Sequence, residues 1–187
     1  MKVRLASSIQ IDSIVDGEGL RTVIWMQGCK HNCKGCHNPE THDMQGGFEI
    51  ELEELKKQIK ELKNQNGITL SGGDPFFQTE ASYEIAKYAK SLGLNVWCYT
   101  GFTFEQLLDI VKQDEFLLGL LKNIDILVDG KFIGEQKSLN LYFRGSKNQR
   151  ILDIHQSLEK GIAVEIPKYQ IRNIEKSDYG RKGNLYI

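Results

Sequence analysis

Three cysteines fall in one short loop, "QGCKHNCKGCHNPE" (27–40), spaced Cys29-x3-Cys33-x2-Cys36, with His31 and His37 beside them. Thiolates are soft donors that hold zinc or iron–sulfur clusters. A structural zinc site needs four ligands, so His31 or His37 would have to complete it, and such sites usually combine paired ligand knuckles. The spacing also differs from the ferredoxin runs, which bring four cysteines to a cluster. The one other cysteine, Cys98, lies in the apolar run "LNVWCY" (94–99), where a cysteine ordinarily acts as a small buried hydrophobe. Three thiolates on a four-iron cluster would leave one iron open to a small molecule, and that position permits inner-sphere electron transfer.

Three other stretches are candidates for the same site: "GGDP" (72–75), "TG" (100–101) and "DGK" (129–131). Each alone reads as ordinary turn punctuation. Their placement gives them weight. "RTVIWM" (21–26), "GITLS" (67–71), "LNVWCY" and "IDILVD" (124–129) read as strands, and "IAVEI" (162–166) as a later one. Between them, Leu52, Leu55, Ile59 and Leu62 mark an amphipathic helix over 49–65, and Ala81, Ile85, Tyr88, Ala89 and Leu92 mark another over 79–93. Thr103 and Gln106 have capping-box spacing at the start of a third helix, 103–112. Alternating strands and helices imply a mostly parallel sheet. The cysteine loop and the three Gly-containing stretches each follow one of four successive strands, and ligands of parallel α/β folds bind at that face. Periodicity does not choose between a barrel and an open sheet. The polar, Gly-punctuated segment 130–160 reads as a loose wrap over the sheet edge.

The 187 residues favour one domain; 40% are hydrophobic and 26% charged, as in an ordinary globular chain. Lys plus Arg number 24 against 25 Asp plus Glu, which argues against a nucleic-acid binder working by bulk charge. The opening residues have no apolar stretch of the secretory kind, and "FLLGLL" (116–121) is too short to span a membrane. The expectation is a cytoplasmic protein, where clustered thiols serve as metal ligands or catalysts.

Cys-x3-Cys-x2-Cys after one strand with Gly-Gly-Asp-Pro after the next resembles the radical S-adenosylmethionine (SAM) enzymes. The set "DGEGLR" (16–21), "GCKHNCKGCHNPETHD" (28–43), "SGGDP" (71–75), "YTG" (99–101), "VDGKF" (128–132) and "RGSKNQR" (144–150) closely resembles the family that activates anaerobic ribonucleoside-triphosphate reductase. These are glycyl-radical activases akin to the longer pyruvate formate-lyase activating enzymes. The resemblance runs over most of the chain and implies an α/β fold, a single-domain incomplete (β/α) barrel with a mostly parallel sheet over 1–187. It implies that Cys29, Cys33 and Cys36 ligate one [4Fe-4S] cluster, whose open iron chelates the amino and carboxylate groups of SAM. Gly72 and Gly73 would admit the methionine moiety and Asp74 would accept from its ammonium. Gly35, Cys36 and His37 would flank the adenine, and Thr100, Asp129 and Lys131 would line the carboxylate and ribose. Gly35 stands where many members carry an aromatic residue, and His37 where this subfamily often has Tyr.

The implied reaction is reductive cleavage of SAM to a 5′-deoxyadenosyl radical, which takes a hydrogen atom from a glycine near the C-terminus of the reductase large subunit. A flavodoxin or ferredoxin is the implied electron donor. No acid/base dyad stands out, and the chemistry needs none. The competing readings are activation of another glycyl-radical enzyme such as pyruvate formate-lyase, radical chemistry on a small molecule, and a zinc-stabilised interaction module. Lys147 and Arg150 read either as partner contacts or as a solvated basic turn.

Overall fold

The computed structural model describes residues 1–170; the last part of the expected 1–187 domain lies outside them. The chain opens with three strands, β1 (Lys2–Leu5), β2 (Gln10–Ser13) and β3 (Arg21–Met26). After the cysteine loop come β4 (Phe48–Glu51), α1 (Leu52–Lys60), β5 (Gly67–Gly72), α2 (Thr79–Ser91) and β6 (Asn95–Tyr99). Two helices, α3 (Phe104–Ile110) and α4 (Glu115–Asn123), lead to β7 (Ile126–Asp129). A long loop then reaches β8 (Arg150–Asp153) and α5 (Ile154–Lys160).

All eight strands join one sheet in the order β4-β1-β3-β5-β6-β7-β8, with β2 added to β3. β3, β5, β6 and β7 pair in parallel. The flanks are antiparallel: β1 on β3 and β4 on one side, β8 on β7 on the other. The two end strands do not pair with each other, so the barrel is incomplete.

Alternation along the strands sends side chains to two different coverings. Ile24, Met26, Ile68, Leu70, Val96, Cys98 and Leu127 pack against the helices in the main core. Trp97, Val128 and Ile151 face the other way, where Tyr142, Phe143 and Tyr169 close over them. The Trp97 ring meets Phe143 edge-on at 5.3 Å and Tyr169 at 5.6 Å. Segment 130–160 is thus no loose wrap: its aromatics Tyr142 and Phe143 plug the concave face, and its later residues form β8 and α5.

Two element boundaries depart from the sequence pattern. The helix expected over 49–65 begins at Leu52 because 48–51 pair with β1, and Glu49 binds Lys2 and Arg4 at 3.3 and 2.6 Å. It ends at Lys60, and Asn64 then turns the chain at φ 60°. The strand expected over 162–166 does not form. β8 already occupies the edge of β7, the Val164 N–H donates to Ser157 Oγ, and only one bridge, Leu152 to Glu165, remains.

Candidate functional site

The exits of β3, β5, β6 and β7 meet at one end of the sheet. The first two are zipped together by backbone. Gly73 N–H donates to Met26 O at 2.7 Å and Asp74 N–H to Gly28 O at 2.9 Å. A Cβ on Gly73 would sit 2.4 Å from Gly28 O, so a side chain there would force the exits apart. Gly72 has φ +96°, open to glycine at little steric strain. The far end of the cysteine loop is tied back as well: Gly28 N–H donates to Thr41 O, and Gln27, 2% exposed, donates to Glu40 O and Asp43 O.

Cys29, Cys33 and Cys36 are free and partly buried on the wall of a cavity of about 120 Å³, with Ser71, Gly72, Gly73, Asp74, Thr100, Gly101 and Gly130 around them. Burial pushes the Cys29 and Cys33 thiols up; near Cys33, Lys131 opposes the shift. Cys98 is on the helix-facing side of β6, fully buried in the main core and away from this cavity. A larger cavity of about 540 Å³ adjoins the first, since Cys36, Ser71, Tyr99, Phe132 and Gln149 line both. His37 lies on it, its ring 4.8 Å from that of Phe132. Gly35 takes φ +77° and leaves ordinary contact distance to Phe132.

The other sequence candidates divide into two groups. Thr100 is buried, and its hydroxyl donates to Asp74 Oδ2 at 2.8 Å. Asp129 and Lys131 line a neighbouring cavity that meets the cysteine cavity at Gly101 and Gly130. Asp129 is 1% exposed; it accepts from the Phe104 N–H at 2.7 Å and from Arg150 at 3.0 and 2.6 Å. Arg150 also grips Glu105, so its guanidinium is committed within the chain, while Lys147 is exposed. Ser146, Asn148 and Gln149 brace the exit of β7 through the Ile133 N–H, Lys131 O and Gly130 O.

Several site residues escaped the sequence reading. Tyr99 and Gln149 line both cavities, and Tyr99 donates from its hydroxyl to Phe143 O at 2.8 Å. Alternation on β6 carried a signal for Tyr99, which shares the Trp97 face. Nothing local marked His31 as the histidine that bonds Asp74, because that contact joins distant loops.

Among the described residues, two buried side-chain polar atoms lack a hydrogen-bond partner, His42 Nε2 and Arg144 Nε. His42 lines the smaller cavity and Arg144 the larger. Such orphans are uncommon in folded proteins and call for a partner. Three soft donors from one loop, with no fourth cysteine at hand, suit an iron–sulfur cluster better than a closed zinc site.

A family model described as a 4Fe-4S single cluster domain matches residues 15–152. The anaerobic ribonucleoside-triphosphate reductase-activating protein of Vibrio cholerae serotype O1 is 37% identical, over 74% of this chain and 90% of its own length. The pyruvate formate-lyase-activating enzyme of Clostridium pasteurianum is 36% identical, over 63% of this chain and 52% of its own. The solved structure of QueE from Escherichia coli aligns with TM-score 0.45 and 15% identity, over 55% of this chain and 54% of that one. The span 15–152 contains the cysteine loop and all four strand exits, and with the Vibrio match it shows that the chain belongs to the 4Fe-4S family of anaerobic ribonucleoside-triphosphate reductase-activating proteins.

Proposed function

We propose that the chain activates anaerobic (class III) ribonucleotide reductase by making a glycyl radical on it. The observation that carries this reading is the contiguity of the two cavities. The three thiols sit on the inner one, and the outer one opens on the concave face, which no α-helix covers among the described residues. In this reading Cys29, Cys33 and Cys36 would hold one [4Fe-4S] cluster, with SAM bound beside it. When bound and reduced, the cluster would supply the one electron that splits SAM into methionine and a 5′-deoxyadenosyl radical, and that radical would take a hydrogen atom from a backbone glycine of the reductase.

The chain's own residues bind, orient and exclude water. Backbone at Gly72 and Gly73 meets the methionine moiety; Gly35 and His37 face the adenine, with His37 braced on Phe132. Thr100, at the exit of β6, borders the same cavity. Asp129 and Lys131 act from the adjoining cavity, Asp129 by fixing the start of α3 and Lys131 as a cation near the ribose and carboxylate. The outer cavity receives an extended segment of the reductase around its C-terminal glycine. Val15, 70% exposed, and Leu139, 90% exposed, flank it as apolar jaws. The electron donor is a flavodoxin or ferredoxin, and the protein works in the cytoplasm. Among the described residues, no helix is long and apolar enough to cross a membrane.

The test is anaerobic reconstitution followed by reduction. Iron and acid-labile sulfide should reach about four each per chain, and 5′-deoxyadenosine should form with the reductase but fall when its target glycine is replaced by alanine. One zinc without sulfide, or full turnover without any protein partner, would overturn the reading. Pyruvate formate-lyase serves as the competing substrate, since a relative with that activity is 36% identical.

A further inference from the structure

We propose that His31 and Asp74 form a positioning latch that fixes the cysteine loop for its cluster. The inference rests on Cys29, Cys33 and Cys36 being the cluster ligands. Asp74 is 1% exposed. Its Oδ2 accepts from His31 Nε2–H, the Thr100 hydroxyl and the Gly101 N–H, each at 2.8 Å, and its Oδ1 accepts from the Phe76 N–H at 2.9 Å. An ionised carboxylate offers about four acceptor sites, two on each oxygen; protein donors crowd Oδ2, and among the described residues Oδ1 takes the Phe76 N–H alone.

The four donors come from three loops. Thr100 and Gly101 belong to the exit of β6 and Phe76 follows β5, whereas His31 stands midway between Cys29 and Cys33. The His31 bond is therefore a side-chain tie between the cysteine loop and the exits of β5 and β6. Its ring packs in a cluster with two phenylalanines, edge-on to Phe102 at 4.5 Å and tilted against Phe77 at 5.4 Å. Gly101 completes the seat. A Cβ there would fall 2.4 Å from His31 Cδ2, and Gly101 does not take a positive φ. The glycine of the "TG" pair is thus explained by space for the histidine rather than by a turn. Loop residues that orient metal ligands from outside the coordination sphere commonly change metal affinity when lost.

The experiment compares reconstituted wild type with His31→Phe, which keeps a ring against Phe77 and Phe102 but donates nothing, and with His31→Gln, which restores a donor. The readouts are iron release to a chelator, the paramagnetic resonance signal of the reduced cluster before and after SAM, and SAM affinity of loaded protein. His31→Phe should release iron about 10–100 times faster than wild type. His31→Gln should return most of that loss, and Gly101→Ala should reproduce it. Apo His31→Phe should melt with wild type, showing an intact fold. Loaded His31→Phe should keep its SAM affinity and the SAM-induced change in the resonance signal. Asp74→Asn should add little to His31→Phe, as expected for two ends of one interaction. Wild-type iron retention in His31→Phe overturns the latch. A wild-type protein that takes up no four-iron cluster overturns the ligand assignment, and the latch with it; that result is separable because the variants then have no cluster to lose.

Discussion

Cys98 and the loop cysteines carry the same thiol in opposite settings. Full burial pushes the Cys98 thiol well up, and the thiolate is the reactive form. In apo protein at neutral pH, iodoacetamide should label Cys29, Cys33 and Cys36 and leave Cys98 unmodified until denaturant is added; mass mapping of early Cys98 labelling would contradict its place in the core. Correspondingly, Cys98→Ala should keep the cluster, whereas alanine at any loop cysteine should abolish it. A second residue-scale case is Glu105. Its hydrogen bonds from Arg150 hold its carboxyl at about 2, against an ordinary 4.5. A lowered carboxylate adds stability above its unfolded value and gives it up as pH falls, so the window runs from 4.5 down to about 2. Glu105→Gln should flatten the fall of Tm with acid inside that window. The change should be small, since the Glu105 side chain is 57% exposed. A difference confined to neutral pH and above would refute the assignment.

At the scale of elements, the strand exits were legible because each of β3, β5, β6 and β7 is a compact apolar run followed by Gly or polar residues. The capping box also stood in plain sequence, and Thr103 does accept from the Gln106 N–H while Gln106 accepts from the Thr103 N–H. Thr103→Ala should cost about 1 kcal/mol in urea unfolding. The flanking strands were hidden for a physical reason. β1, β2 and β4 are short and carry exposed charged or polar positions, so their pattern is weak and their partners are remote in sequence. β8 lay in a polar stretch whose apolar residues serve two faces at once. The close approach of Gly73 to Gly28 was equally invisible, since a glycine pair gives no hint of what it touches. Gly73→Ala should destabilise the protein by about 1–3 kcal/mol, the range for overpacking, and an unchanged denaturation midpoint would show that the exits can part freely.

At the scale of the molecule, one face of the sheet is covered by helices and the other by a loop bearing Tyr142 and Phe143, with Tyr169 beyond it. The rim beside that plug exposes Val15 and Leu139. Val15→Asp with Leu139→Asp should weaken the complex with the reductase while leaving cluster content unchanged; binding measured by calorimetry at wild-type affinity would move the partner's contact elsewhere. The sequence disclosed the cysteine loop and the four central strand exits but not this plug. Aromatics scattered through polar segments reveal a common surface only once β8 and the 166–169 turn bring them together.

The compactness of the ligand loop has a further consequence. The three thiols are separated by only three and two residues, so gathering them around a cofactor closes very small rings, and the chain entropy involved is minor. The sheet and its core lie elsewhere and hold without them. Small zinc domains, by contrast, draw their folding free energy from the metal. Here oxygen damage to the cluster should be a local injury, leaving a folded apoprotein ready to be reloaded rather than a chain that must refold.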